Sequence, residues 1–131
     1  MTFTHMRIAK PVTDLELTCR MYCDGLGLQK IAAFHDHDGF SGVMVGDPAL
    51  PWHIEFTHCH EHAVQPAHTA EDLLVLYYPD TQEAGVRCEM MMKAGFCEVK
   101  SFNPYWAVQG KTFADRDGYR VVIQNRDWSS T

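Results

Sequence analysis

The amino-acid order repeats itself. RIAKPVTDLE begins at Arg7 and leads through a polar-apolar run to LGLQKI, while LLVLYYPDTQE begins at Leu73 and leads through a second run to AGFCEV. Each copy then reaches a turn marked by Asp and Gly that feeds a strand, GDPALPWHIEF in the first and ADRDGYRVVIQ in the second. A duplicated strand-helix-strands unit predicts an α+β chain of two βαβββ modules, with paired sheets curved around a cavity. It also makes positions in the two halves equivalent, so their chemistry can be compared. At 131 residues the chain has room for one ordinary domain containing both copies.

Local signals place the elements. In the first copy His5 to Val12 reads as a strand. Thr13 stands three residues before Glu16, the capping-box spacing, and predicts a helix start. Leu15, Cys19, Tyr22 and Leu26 follow at helical spacing, and Gly25 with Gly27 ends the helix. Leu28 to Phe34, Phe40 to Val45 and Trp52 to Thr57 read as strands, the first two joined by a turn at Asp36-His37-Asp38-Gly39. In the second copy Leu73 to Tyr78 is a strand, and Asp80 with Glu83 repeats the capping spacing. Val86, Met90 and Met91 give the next helix its apolar side, with Met90 to Met92 filling the core. Phe96 to Ser101, Lys111 to Ala114 and Tyr119 to Gln124 complete the set, with Asn103 to Trp106 as an aromatic loop. Module one spans 5–58, a linker 59–71 and module two 72–126.

Aligning Asp14 with Asp80 pairs Arg7 with Leu73. Aligning the closing strands pairs Glu55 with Val122. Side chains alternate along a strand, so His5, His53, Tyr77, Arg120 and Gln124 share faces with these four.

Composition excludes several function classes. A formal charge of −6 argues against nucleic acid, which needs clustered Lys and Arg. No apolar run approaches the roughly 20 residues of a membrane span. Five cysteines, an odd number with no CxxC pair, read as reduced thiols of a cytoplasmic protein.

The order βαβββ twice, VTDLELTCRMYCDGLGL, IEFTH and DRDGYRVVIQN together resemble the glyoxalase/bleomycin resistance/extradiol dioxygenase superfamily, also called vicinal oxygen chelate proteins. The resemblance covers His5 to Asn125. Met21-Tyr22 replaces the usual aromatic pair and Asp115-Arg116-Asp117-Gly118 the usual DPDG turn. It implies a homodimer and, in the enzymes, a divalent metal held at four inward strand positions as a Lewis acid. Here those positions are Arg7, Glu55, Leu73 and Val122, and only Glu55 matches. Relatives lacking the metal sequester drugs or metabolites, which implies a small-molecule ligand for this chain.

Two sets of candidate residues follow. A binder of a small aromatic or anionic molecule would use Arg7, His53, Glu55, Tyr77, Tyr105, Trp106 and Gln124, with Tyr105 and Trp106 as stacking surfaces. A lyase, isomerase or dioxygenase holding Zn, Ni, Mn or Fe would use Glu55 with His5 and His53, a two-His, one-carboxylate set. The run His58-Cys59-His60-Glu61-His62 reads as a solvated connection, and Cys19 with Cys23 as buried, inert thiols. Arg7 facing Glu55 reads either as a structural ion pair, the reading favoured first, or as a charged clamp for an anionic ligand.

Overall fold

The computed structural model describes residues 2–130. The chain divides into two compact units, Met1–Pro66 and Ala67–Thr131. The first contains β1 (Met6–Pro11), α1 (Leu15–Leu26), β2 (Gln29–His37), β3 (Phe40–Gly46) and β4 (Trp52–Cys59). Its sheet runs β1-β4-β3-β2. The second contains β5 (Leu73–Tyr77), α2 (Thr81–Lys93), β6 (Cys97–Val99), α3 (Tyr105–Val108), β7 (Gly110–Ala114) and β8 (Arg120–Gln124), with sheet order β5-β8-β7-β6. In both units the first strand lies parallel to the last, and the remaining pairs are antiparallel. The register repeats as well. Arg7 stands beside His53 in unit one and Leu73 beside Arg120 in unit two.

A parallel pair cannot be closed by a hairpin, so each unit needs a crossover, and its helix covers one sheet face. In unit one that face carries Phe56, whose ring centre lies 4.7 Å from that of Tyr22 on α1. Both residues are fully buried, as are Ile54 and Val45 nearby in the same sheet. Removing a buried Phe ring of this kind costs roughly 3–5 kcal/mol. Alternation then turns His53 and Glu55 to the opposite face. In unit two Met91 of α2 is fully buried, together with Phe113, Val121 and Ile123 of the sheet.

Several local expectations need correction. The cap of α1 is Asp14 rather than Thr13: the Asp14 backbone is extended, and its Oδ1 accepts from Leu17 N at 3.0 Å. Gly25 lies inside α1. The helix ends at Gly27, whose left-handed φ of 72° lets its N–H reach Cys23 O. The apolar side of α2 is Ala84, Cys88 and Met91, spaced four and three apart. Val86, Met90 and Met92 point outward and are exposed. The aromatic loop contains a helical turn, α3, entered through Asn103, whose Oδ1 accepts from Tyr105 N at 3.0 Å. β2 runs on to His37 by way of a left-handed Asp36, which shifts the register between Phe34 and His37. β4 extends through His58 and Cys59, two residues past the expected end.

Asp80 caps α2 in the way its spacing predicts, accepting from Glu83 N at 2.9 Å. Losing a carboxylate cap costs about 1 kcal/mol, whereas Asn caps nearly as well as Asp. Asp14→Ala and Asp80→Ala are each expected to lower urea-unfolding stability by about that amount. Asp14→Asn should retain most of it. Equal losses for the Ala and Asn variants would show that the side-chain cap is not what holds α1.

Candidate functional site

The parallel register sets Arg7 directly beside His53, with Glu55 two residues further along β4. Arg7 Nε donates to His53 Nε2 at 2.9 Å, and its Nη1 reaches Glu55 Oε2 at 3.5 Å. A third contact runs from Nη2 to Met44 Sδ at 3.5 Å. On the other side of the imidazole, His53 Nδ1 and His5 Nε2 lie 2.7 Å apart. His53 and Glu55 are each only 8% exposed, whereas the Arg7 side chain is 47% exposed.

These contacts fix the protons. An arginine only donates, so His53 Nε2 must be the bare acceptor. The ring proton then sits on Nδ1 and is donated to His5 Nε2. Burial first, then the Arg7 guanidinium and His5, hold the His53 imidazole below its ordinary value of 6.5 against an opposing pull from Glu55. Guanidinium carries five N–H donors, and three are engaged here. Two N–H groups remain on a half-exposed fork that its neighbours hold in place.

Metal chemistry does not fit this donor set. Of the four positions that the resemblance assigned to an ion, Arg7 is a cation, and Leu73 and Val122 offer no lone pair. The alternative set of Glu55, His5 and His53 meets a different obstacle. His53 has one nitrogen accepting from Arg7 and the other paired to His5, so neither is free for a cation. Among the described residues no group of three or more His, Cys, Asp and Glu is arranged to hold a metal. A divalent ion would have to displace the Arg7 guanidinium first.

The remaining candidates lie in unit two. Gln124 of β8 pairs with Tyr77 of β5 and Gly110 of β7. It is 1% exposed, and its Oε1 is buried without a hydrogen-bond partner. A Cβ at position 110 would collide with that oxygen and stand 2.7 Å from the Trp106 carbonyl, so only glycine fits there. Tyr105 and Trp106 pack edge to face, ring centres 4.9 Å apart, on consecutive residues of α3. Tyr105 is half exposed, and its hydroxyl accepts from Arg126 Nη1 at 3.5 Å.

Sequence reasoning missed a second polar cluster. Ser41 Oγ accepts from Asp36 N at 3.0 Å and lies 2.8 Å from His60 Nε2 and 3.3 Å from His35 Nδ1. His58 packs edge-on against His60, and its Nδ1 lies 3.4 Å from Val12 O. The His58–His62 run is therefore anchored at its start to the sheet rather than being wholly a solvated connection. Strand alternation through His58 and His60 was the available signal. Cys19 and Cys23 are partly exposed, with sulfurs 4.0 Å apart; burial first, then Cys19, pushes the Cys23 thiol up to about 11.

The fold and these sheet faces define a class, the glyoxalase/bleomycin resistance/dioxygenase superfamily. Residues 6–57 match the YycE-like N-terminal domain and residues 71–125 the YycE-like C-terminal domain. The Bacillus subtilis (strain 168) uncharacterized protein YycE is 38% identical over 120 residues, covering 92% of this chain and 86% of that one. The chain belongs to the YycE-like family. The crystal structure of a Bacillus subtilis YycE protein, described as of unknown function and a candidate glyoxalase/fosfomycin resistance protein, superposes with a TM-score of 0.90 at 37% identity. That match covers 97% of this chain and 93% of the other. The trypanothione-dependent glyoxalase I of Leishmania major shares the fold at a TM-score of 0.69 and 17% identity, covering 92% and 84% of the two chains. The fosfomycin resistance protein FosX of Mesorhizobium loti does so at 0.66 and 14%, covering 94% and 90%. Among the described residues no helix is long and apolar enough to cross a membrane.

A lowered His53 pKa has a definite sign. The folded value lies below the unfolded one, so between them the unfolded chain binds more protons. The contribution of neutral His53 is present in full above pH 6.5 and is lost as pH falls from there through the folded value. Wild type is therefore expected to lose stability relative to His53→Gln on going from pH 7.5 to 5, followed by urea midpoints. A difference that stays constant, or grows in favour of wild type, would contradict the proton assignment.

Proposed function

We propose that the chain binds a small anionic molecule, aromatic in part, through the face of β1 and β4 that carries Arg7, His53 and Glu55. The observation that carries this reading is the Arg7 fork: half exposed, oriented by His53, Glu55 and Met44, and left with two N–H donors. Such a fork matches a carboxylate or phosphate bidentately, and it loses little freedom on binding because it is already held. Glu55 would take a donor group of the same ligand, and His5, whose Nε2 already accepts from His53, would offer its Nδ1–H. Tyr77, Tyr105, Trp106 and Gln124 are proposed separately, as ligand contacts within unit two. The exposed ring of Tyr105 and the unpaired Gln124 Oε1 support them. The proposal also takes the protein as a cytoplasmic homodimer, supported by its five free cysteines and by exposed Phe3, Phe102 and Val108.

A thermal-shift screen of small aromatic carboxylates and phosphates tests it. A ligand at 100 times its Kd should stabilise the fold by about 2.7 kcal/mol. Arg7→Gln is expected to abolish that shift, read against the variant's own ligand-free melting temperature, which should fall modestly because His53 Nε2 loses its donor. If Arg7→Gln binds as well as wild type, this face is not the site. Zn, Ni, Mn or Fe ions are expected to leave melting unchanged. A metal-dependent rise that vanishes in Glu55→Ala would instead favour the lyase or dioxygenase reading.

A further inference from the structure

On the opposite, α1-covered side of the first sheet there is a cavity of about 510 Å³. Its walls are α1 residues Leu15, Glu16, Cys19 and Arg20 and strand residues including Lys30, Ala33, His35, Ser41 and Val43. Val43 pairs with Phe56, and Phe56 packs on α1, which places this cavity on the face away from Arg7. The volume falls within the range of small-molecule pockets.

Its chemistry points to one ligand class. Leu15, Ala33 and Val43 supply apolar wall. Ser41 has its bonding capacity filled by Asp36 N and two imidazoles, so it adds a polar patch that needs no further partner. Arg20 comes from α1 and Lys30 from β2, and among the described residues neither forms an ion pair. Glu16 offsets one of these charges. The wall therefore keeps one net positive charge beside apolar surface, in a chain whose formal charge is −6. Unpaired cations gathered on one cavity of an acidic protein focus a local field for anions.

We propose that this cavity is a second small-molecule site, independent of the Arg7 face, that takes an apolar molecule bearing a single carboxylate. The carboxylate lies between Arg20 and Lys30, and the hydrocarbon lies against Leu15, Ala33 and Val43. Because the two sites occupy opposite faces of one sheet, occupation of one leaves the other open.

Titration calorimetry on the full chain tests this, using 3-phenylpropionate and its uncharged counterpart 3-phenylpropanol. Arg7→Gln serves as the background, so that the other face cannot contribute. The acid is expected to bind this background one-to-one, the alcohol at least tenfold more weakly. Adding Arg20→Gln and Lys30→Gln should weaken the acid at least tenfold, and Ala33→Trp, which fills the cavity, should do the same. Both cations are exposed, so the charge variants should keep the wild-type circular dichroism, and they decide the matter if Ala33→Trp fails to fold. No binding to the Arg7→Gln background, equal binding of acid and alcohol, or indifference to Arg20→Gln/Lys30→Gln would each overturn the proposal. Acid binding lost through Arg7→Gln alone would leave only the other face as a site.

Discussion

The parallel pairing of β1 with β4 is the constraint on which the rest of unit one depends. Two strands running the same way need a long connection between them, and α1 begins that connection by covering one face of the sheet. Once Tyr22 and Phe56 have met on that face, every second residue of β4 must point the other way. Register then decides which β1 residue stands next to each of them. A slip of one residue would put Ile8 rather than Arg7 beside His53 and would break each contact that orients the guanidinium. The polar network is thus a consequence of backbone pairing more than of any local motif.

That network is economical in its hydrogen bonds. His53 is nearly buried, and such a ring would be costly if either nitrogen lacked a partner. Arg7 satisfies one and His5 the other. The same pairing that makes burial tolerable also occupies both nitrogens of the imidazole. Glu55 is likewise met by the same guanidinium.

What could be read from the order of residues was whatever is local or repeated. The duplication gave the element order: aligning Asp14 with Asp80 put Arg7 at the place of Leu73, and aligning the closing strands put His53 at the place of Arg120. In the structure Arg7 pairs with His53 as Leu73 pairs with Arg120. Short-range spacing was less dependable. Thr13 and Asp14 both suit a cap, and only backbone geometry chose Asp14. On α2 three methionines looked like core, yet of these only Met91 joins Ala84 and Cys88 in the buried stripe, because packing rather than hydrophobicity selects the buried face. Alternation could have put His60 on the face of His58, but nothing local joined His60 to Ser41. They are 19 residues apart and meet only through the β3–β4 register and the end of β4.

The second unit serves as an internal comparison for the first. It builds the same sheet order and the same register with Leu73 and Val122 at the positions of Arg7 and Glu55. Val122 is fully buried there, and the strands pair normally. The fold therefore does not require an ion pair at this place, and an apolar pair satisfies it. Buried ionic groups seldom improve on well-packed apolar ones, since their desolvation offsets most of the attraction between them. A half-exposed Arg7–Glu55 contact contributes still less. Stability alone thus gives weak reason to keep Arg7, His53 and Glu55 where unit two keeps Leu73, Arg120 and Val122. The reason that remains is what a held, partly open guanidinium can do: present two donors to something outside the chain.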